Sequence, residues 1–238
     1  MAVKNNSLGR FISKYHLDSA VASSKWKLNK ETLSARFMTE DRTLLGEVKL
    51  NNFKCDAIDG ETLGIYNTDQ LVKLLSVLDD DVEVKYNFPY LHINDTKSKV
   101  SYVLSDLSII PDAPTMKTAP NYDIELEMDN NFRNKFVKGK GALADVETFT
   151  LVKNGSADTI NVIIGHSSIA TNNCTIPVKT NNTEVPLMSF NAKYLKSIFT
   201  ANRDAKECTM KVSSDGLARL SFKADDFSVE YYMVMVQN

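Results

Sequence analysis

The chain has 238 residues, 43% of them hydrophobic and 24% charged, with a net charge of −2. That composition excludes a disordered chain and gives enough apolar surface for one large domain or two ordinary ones. No apolar run approaches the 18 or so residues that cross a bilayer, so no membrane association is expected. The N-terminus, Met-Ala-Val-Lys-Asn-Asn-Ser, has no segment of signal-peptide type, and Cys55, Cys174 and Cys208 are odd in number and widely spaced. Free thiols in a reducing cytosol are expected, and a cytoplasmic protein with them.

In chain order, Ser7 to His16 reads as a helix with Leu8, Phe11, Ile12 and Tyr15 on its apolar face. Strand-like segments follow at Trp26 to Leu28, Leu33 to Met38, Leu44 to Leu50 and Thr62 to Tyr66, broken by turns at Asn51-Asn52 and Asp59-Gly60. A helix from Asn67 to Leu78 leads into strands at Val82 to Tyr86, Tyr90 to Ile93 and Val100 to Leu104. Ser105 to Asn121 carries Pro111, Pro114 and Pro120 without periodicity, the mark of an extended connector. Asp129 caps a helix from Asn131 to about Gly139. Strands are then expected at Glu147 to Lys153, Thr159 to Ile164, Asn173 to Val178 and Val185 to Phe190. A last helix from Asn191 precedes strands at Thr209 to Val212, Ala218 to Phe222 and Phe227 to Met235.

Subtracting 124 from Asn191, Leu195, Ile198 and Phe199 gives Asn67, Leu71, Leu74 and Leu75. The same offset carries Phe132 and Phe136 back to Leu8 and Ile12. The order of elements repeats as well, which points to an internal duplication. Two short helices per half cannot cover both faces of a parallel sheet, so antiparallel sheets are expected, in an α+β fold. The halves are bounded as residues 1–107 and 122–238, with 108–121 as the connector.

The sequence holds no Cys-x-x-Cys, no phosphate-cradling glycine loop and no nucleophile elbow. His16, His92 and His166 are scattered, and Asp79-Asp80-Asp81 reads as a solvated turn rather than a cation site. No catalytic residue, metal or cofactor is expected.

Charge is distributed unevenly. The four helical segments 4–16, 67–78, 129–140 and 191–203 hold 11 of the 28 Lys and Arg but only Asp69 and Asp129 among the 30 acids. On a helical wheel Arg10, Lys14, Lys73, Lys138 and Lys193 lie opposite the apolar positions. Helices of one sign point to a polyanion, and double-stranded DNA read through its backbone without sequence preference is the obvious one. The DNA-facing set comprises Lys4, Arg10, Lys14, Lys73, Arg133, Lys135, Lys138, Lys140, Lys193 and Lys196.

Four stretches carry a family resemblance. They are Phe190-Asn-Ala-Lys-Tyr-Leu-Lys-Ser-Ile-Phe-Thr-Ala, Asp226-Phe-Ser-Val-Glu-Tyr-Tyr-Met-Val-Met-Val, Phe37-Met-Thr-Glu-Asp-Arg-Thr-Leu-Leu-Gly-Glu-Val and Ile65-Tyr-Asn-Thr-Asp-Gln-Leu-Val-Lys-Leu-Leu-Ser-Val-Leu-Asp-Asp-Asp. With these in order over nearly its whole length, the chain resembles the DNA sliding clamps, especially the processivity factors of tailed bacteriophages and more distantly PCNA. Only the segment Asp18 to Thr32 fits the pattern poorly. The resemblance implies a homotrimeric ring of six domains around duplex DNA, with helices inside and antiparallel sheets outside. It further implies a non-catalytic tether for the replicative DNA polymerase, opened by an ATP-driven clamp loader. Ring closure would pair the edge strand Lys99 to Asp106 with that near Asn172 to Lys179 of the next copy. Partners such as the polymerase C-terminal peptide would dock in an apolar pocket between the domains. Its walls would be Leu107, Ile109, Ile110 and Pro111, then Tyr232, Val234, Met235 and Val236, with Thr39 and the loop to Arg42. Two other readings stand beside the clamp: an enzyme with an unrecognised site, and a β-rich viral structural or interaction protein that does not encircle DNA.

Overall fold

A computed structural model describes residues 3–29, 31–53, 55, 60–79, 81–116, 118 and 120–237, with the backbone alone at 3–6. The chain divides into two compact units, residues 1–114 with 225–229, and residues 115–224 with 230–238.

The first unit runs β1 (Val3–Lys4), α1 (Asn5–His16), β2 (Ser24–Asn29), β3 (Thr32–Met38), β4 (Leu44–Asn51), β5 (Thr62–Ile65), α2 (Thr68–Leu75), β6 (Asp81–Asn87), β7 (Tyr90–Asn94) and β8 (Lys99–Val103). Its strands pair antiparallel in the orders β5-β2-β3-β4 and β1-β6-β7-β8. The second unit runs β9 (Ile124–Glu127), α3 (Asn130–Ala142), β10 (Thr148–Lys153), β11 (Thr159–Ile164), β12 (Cys174–Lys179), β13 (Met188–Asn191), α4 (Ala192–Ala201), β14 (Glu207–Val212), β15 (Leu217–Ala224) and, from Glu230 on, β16 (Phe227–Val234), whose first three residues belong to the first unit. Its orders are β13-β10-β11-β12 and β9-β14-β15-β16, the same topology element for element. β8 and β12 each end a sheet.

Alternation explains the sheets. In β2, Ser24, Trp26 and Leu28 are buried while Lys27 and Asn29 are exposed, and in β7 Leu91 and Ile93 face in. Helix α1 buries Leu8, Phe11, Ile12 and Tyr15 completely. Phe11 meets Trp26 edge to face at 5.4 Å, and Tyr15 meets Trp26 at 6.2 Å. The second unit fills the equivalent space with phenylalanines. Phe136 meets Phe149 at 5.4 Å and Phe199 at 5.6 Å, both edge to face. The duplication extends to the caps. Asn67 and Asn191, 124 residues apart, each accept a hydrogen bond from the backbone N–H three residues on, at 2.9 Å. Such a cap contributes about 1 kcal/mol to the helix it opens.

Some boundaries differ from expectation. Helix α2 stops at Leu75, and the strand expected from Val185 begins only at Met188, after Pro186. β9 lies outside the expected strands although Ile124 and Leu126 alternate with Glu125 and Glu127. In the poorly fitting segment, Leu17, Asp18 and Ser19 take left-handed φ of 49°, 58° and 65° without a glycine, and β2 follows. Asp59 and Asp80 lie outside the described residues. The chain after β8 is fixed at Gly64, where a Cβ would lie 2.3 Å from the Ser105 carbonyl oxygen. That approach brings the Ser105 N–H to the Gly64 carbonyl at 3.0 Å.

Candidate functional site

The helix cations fall into two groups. Lys73 on α2, Lys135 and Lys138 on α3, and Lys193 on α4 are exposed, and Lys196 is half-exposed. Three others of the expected DNA-facing set, Lys14, Arg133 and Lys140, are buried, and of these Lys14 is one that the helical wheel sets opposite the apolar positions. Lys14 is 0% exposed, its ammonium 5.1 Å from the centre of the Phe227 ring. Arg10 is half-buried, with its guanidinium 4.8 Å from the same ring. Phe227, in the 225–229 segment of the first unit, covers the side of α1 that the sequence leaves to solvent. What α1 exposes instead is Gly9 and Ser13.

Arg133 is 4% exposed, and its guanidinium donates to the carbonyls of Asn202 at 3.0 Å and Ala205 at 2.8 Å, and to Asn130 Oδ1. Lys140 is 6% exposed and donates to the Leu143 and Ala144 carbonyls at 3.2 and 2.8 Å, closing the end of α3. Burial lowers the Lys140 ammonium below the usual lysine range. The positive charges of Lys196 and Lys193 act in the same direction, and Asp145 opposes them. Lys14, Arg133 and Lys140 are therefore structural cations, not DNA contacts. The Lys4 side chain lies outside the described residues.

Cations on the strands behave differently from those on the helices. Arg36 pairs with Glu47 at 2.9 Å, Lys85 with Glu83 at 2.9 Å, Lys211 with Glu125 at 3.0 Å and Lys223 with Glu207 at 2.9 Å. Lys153 and Arg219 pair with Glu184 and Glu230. Among the described residues, Lys73, Lys135, Lys138, Lys193 and Lys196 have no carboxylate within ion-pair distance. Their positive charge is left for an external anion, whereas most strand cations are paired within the chain, Lys27, Lys49, Lys99 and Lys179 being the exposed strand lysines with no carboxylate within ion-pair distance among the described residues. In the acidic run, Asp79 pairs with Lys97 at 3.3 Å.

The expected partner pocket is brought together only in part. The first unit contains a cavity of about 310 Å³, lined by Thr39, Glu40, Arg42 and Pro111 and by residues the sequence reading missed, Ala20 to Ser24, Arg36 to Met38, Asp112 and Ala113. Thr39 is 1% exposed, and its hydroxyl donates to Asp41 Oδ1 at 2.6 Å while accepting from the Leu44 N–H. This turn holds Arg42 at a left-handed φ of 57°. The Arg42 guanidinium has no partner among the described residues, so the cavity wall presents a charge suited to a carboxylate. Lys25 holds Asp112 at 2.7 Å on the connector side.

Leu107 and Ile109 lie in a short 3-10 turn, Leu107–Ile109, and are 38% and 55% exposed. Ile110 is 2% exposed and packs toward Gly64, so it pins the chain to the core instead of lining a surface. In the second unit the Tyr232 hydroxyl donates to Glu230 Oε2 at 2.7 Å, and burial pushes that phenol up to about 12. Val234 is 44% exposed. Met235 and Val236 continue the backbone pairing, donating to the carbonyls of Gly216 and Ser189 at 2.8 Å. The backbone of Met235 and Val236 is therefore built into the fold of the second unit.

No family model and no curated protein matches this chain. Among solved structures it is similar to the proliferating cellular nuclear antigen (PCNA) of Entamoeba histolytica, with a TM-score of 0.77 at 15% sequence identity, over 99% of this chain and 97% of that one. No helix among the described residues is long and apolar enough to cross a membrane. Among the described residues, four α-helices, antiparallel sheets and a duplicated topology make this the PCNA-like clamp fold.

Proposed function

We propose that this chain is a DNA sliding clamp, a non-catalytic accessory factor that closes as a ring around duplex DNA and tethers a replicative polymerase. The observation that carries the reading is the contrast in charge. Exposed or half-exposed lysines on α2, α3 and α4 have no acid partner among the described residues, while most strand cations are matched by an acid. In a fold whose relatives include PCNA, that pattern suits helices turned to phosphates and sheets turned to water. Contact would be loose and independent of sequence, as sliding requires.

The ring is a homotrimer closed head to tail, β8 of one copy against β12 of the next, since two repeats per chain and six domains require three chains. Residues 1–107 and 122–238 act as its two clamp domains with 108–121 between them. An ATP-driven loader opens it. The motif resemblance to phage processivity factors supports a phage-encoded clamp that acts in the cytoplasm of a bacterial host. A polymerase C-terminal peptide would use Leu107, Ile109 and Pro111 with Tyr232, Val234, Met235 and Val236 as its docking residues, Thr39 and Arg42 bounding the site.

The test combines mass and topology. Light scattering at micromolar concentration is expected to give about 80 kDa, three times the 26.6 kDa chain. Rings threaded onto linear duplex and trapped by streptavidin at both ends should be retained at moderate salt, then lost when a restriction cut frees an end. A monomeric mass, or loss that ignores the end caps, would sink the proposal.

A further inference from the structure

Among the described residues β12 pairs along its whole length with β11, and its other side is met at the far end, where Thr180 bridges Leu126 of β9. The register sets Pro177 opposite Asn161, between Ile176 opposite Val162 and Val178 opposite Ile160. Along an antiparallel strand, successive residues direct their N–H and C=O alternately toward and away from the neighbouring strand. Proline has no N–H, and a sheet tolerates it where that nitrogen faces the unpaired side. Pro177 therefore faces the open edge, and the period of two sets Thr175 and Lys179 to the same side. At Pro177 the edge therefore offers a carbonyl but no N–H.

The first unit ends one of its sheets in β8, an open edge of five residues among the described ones. Val103 on β8 is 59% exposed, and Tyr90, its partner across the ladder, is 41% exposed beside Phe88 at 75%. That is apolar surface of the kind a further strand covers. We propose that the β12 edge receives β8 of a second copy through a ladder built one hydrogen bond short at Pro177, so that this residue sets how readily the ring parts at each seam. The inference rests on the trimer reading. A carbonyl on the incoming strand that meets Pro177 finds no donor, and no side chain of β12 can replace a backbone N–H at that point. The defect lies in the middle of β12, where fraying at the ends cannot absorb it.

Substituting Pro177→Thr supplies the missing donor on the open side and leaves the β11 ladder untouched. Subunit exchange between donor- and acceptor-labelled rings should then slow about three- to tenfold, the worth of one net hydrogen bond. Thr175→Pro removes a second outward N–H and should speed exchange by a similar factor, which keeps the idea testable if the first variant folds poorly. Unchanged exchange in both variants overturns the proposal. So does growth of Pro177→Thr beyond the trimer, which would mean that the proline only protects the edge from aggregation. A parent protein that is monomeric at every concentration removes the trimer reading itself, a result the exchange ratio cannot mimic.

Discussion

The Arg133 guanidinium donates to the carbonyls of Asn202 and Ala205, just past the end of α4, and to Asn130 Oδ1 on its own helix. A charged donor satisfied by carbonyls in the interior ties α3 to α4, and removing it strands two buried acceptors. Hydrogen bonds of charged groups contribute about 1.5–3 kcal/mol each, and the loss is not additive. Arg133→Met is therefore expected to lower unfolding stability by about 3 kcal/mol, read by urea titration, while the salt dependence of DNA retention stays unchanged. A changed salt dependence with unchanged stability would return Arg133 to the DNA-facing set. The wheel position of Arg133 was legible in the sequence, but its acceptors were not. They come from residues about 70 positions away, brought in by packing. Lys14 escaped for a related reason, since its cover is Phe227, more than 200 residues further along the chain.

His16 closes α1, 8% exposed, with Nε2 3.2 Å from Oδ1 of Asp69 in the first turn of α2. The Ser19 hydroxyl donates to the same oxygen at 2.8 Å. Burial lowers the His16 pKa, and the opposing pull of Asp69 and Asp18 does not offset it. The unfolded chain therefore takes up this proton first as pH falls. The contribution to stability is complete above the ordinary imidazole value of about 6.5 and is lost as pH falls from there toward the folded value. Between pH 7 and 5.5 the parent should lose stability more steeply than His16→Gln, measured by urea midpoints. Parallel slopes would show that the pair does not couple the two helices. Elements were the scale most legible in the sequence, because each depends on local pattern. Alternating strands, the asparagine caps at Asn67 and Asn191 and the 124-residue offset all declare themselves within a few residues. The turn at Leu17 to Ser19 did not, since nothing in its residue types announces a left-handed run.

At the scale of the whole molecule, a net charge of −2 conceals an unequal division of labour between the duplicated units. The second unit exposes Lys135, Lys138, Lys193 and Lys196, and the pull of Lys196 and Lys193 on Lys140 places α3 and α4 cations in one electrostatic neighbourhood. Among its described side chains, the helices of the first unit offer Lys73 as their exposed cation, beside exposed Gly9, Ser13, Val72 and Val77. Since the affinity of a phosphate-binding protein falls with salt by a slope of roughly 0.9 for each phosphate neutralised, the two units should contribute unequally to that slope. Exchanging all four lysines of α3 and α4 for glutamine should remove most of the salt dependence of retention on end-capped duplex. Lys73→Gln should lower the slope by no more than about one unit for each chain touching DNA. All five positions are exposed or half-exposed, so each substitution should change the unfolding free energy, read by urea titration, by no more than about 0.5 kcal/mol. Equal effects of the single and the fourfold change would mean that both units grip the duplex alike, and that the bare face of α1 is no guide to where the phosphates run.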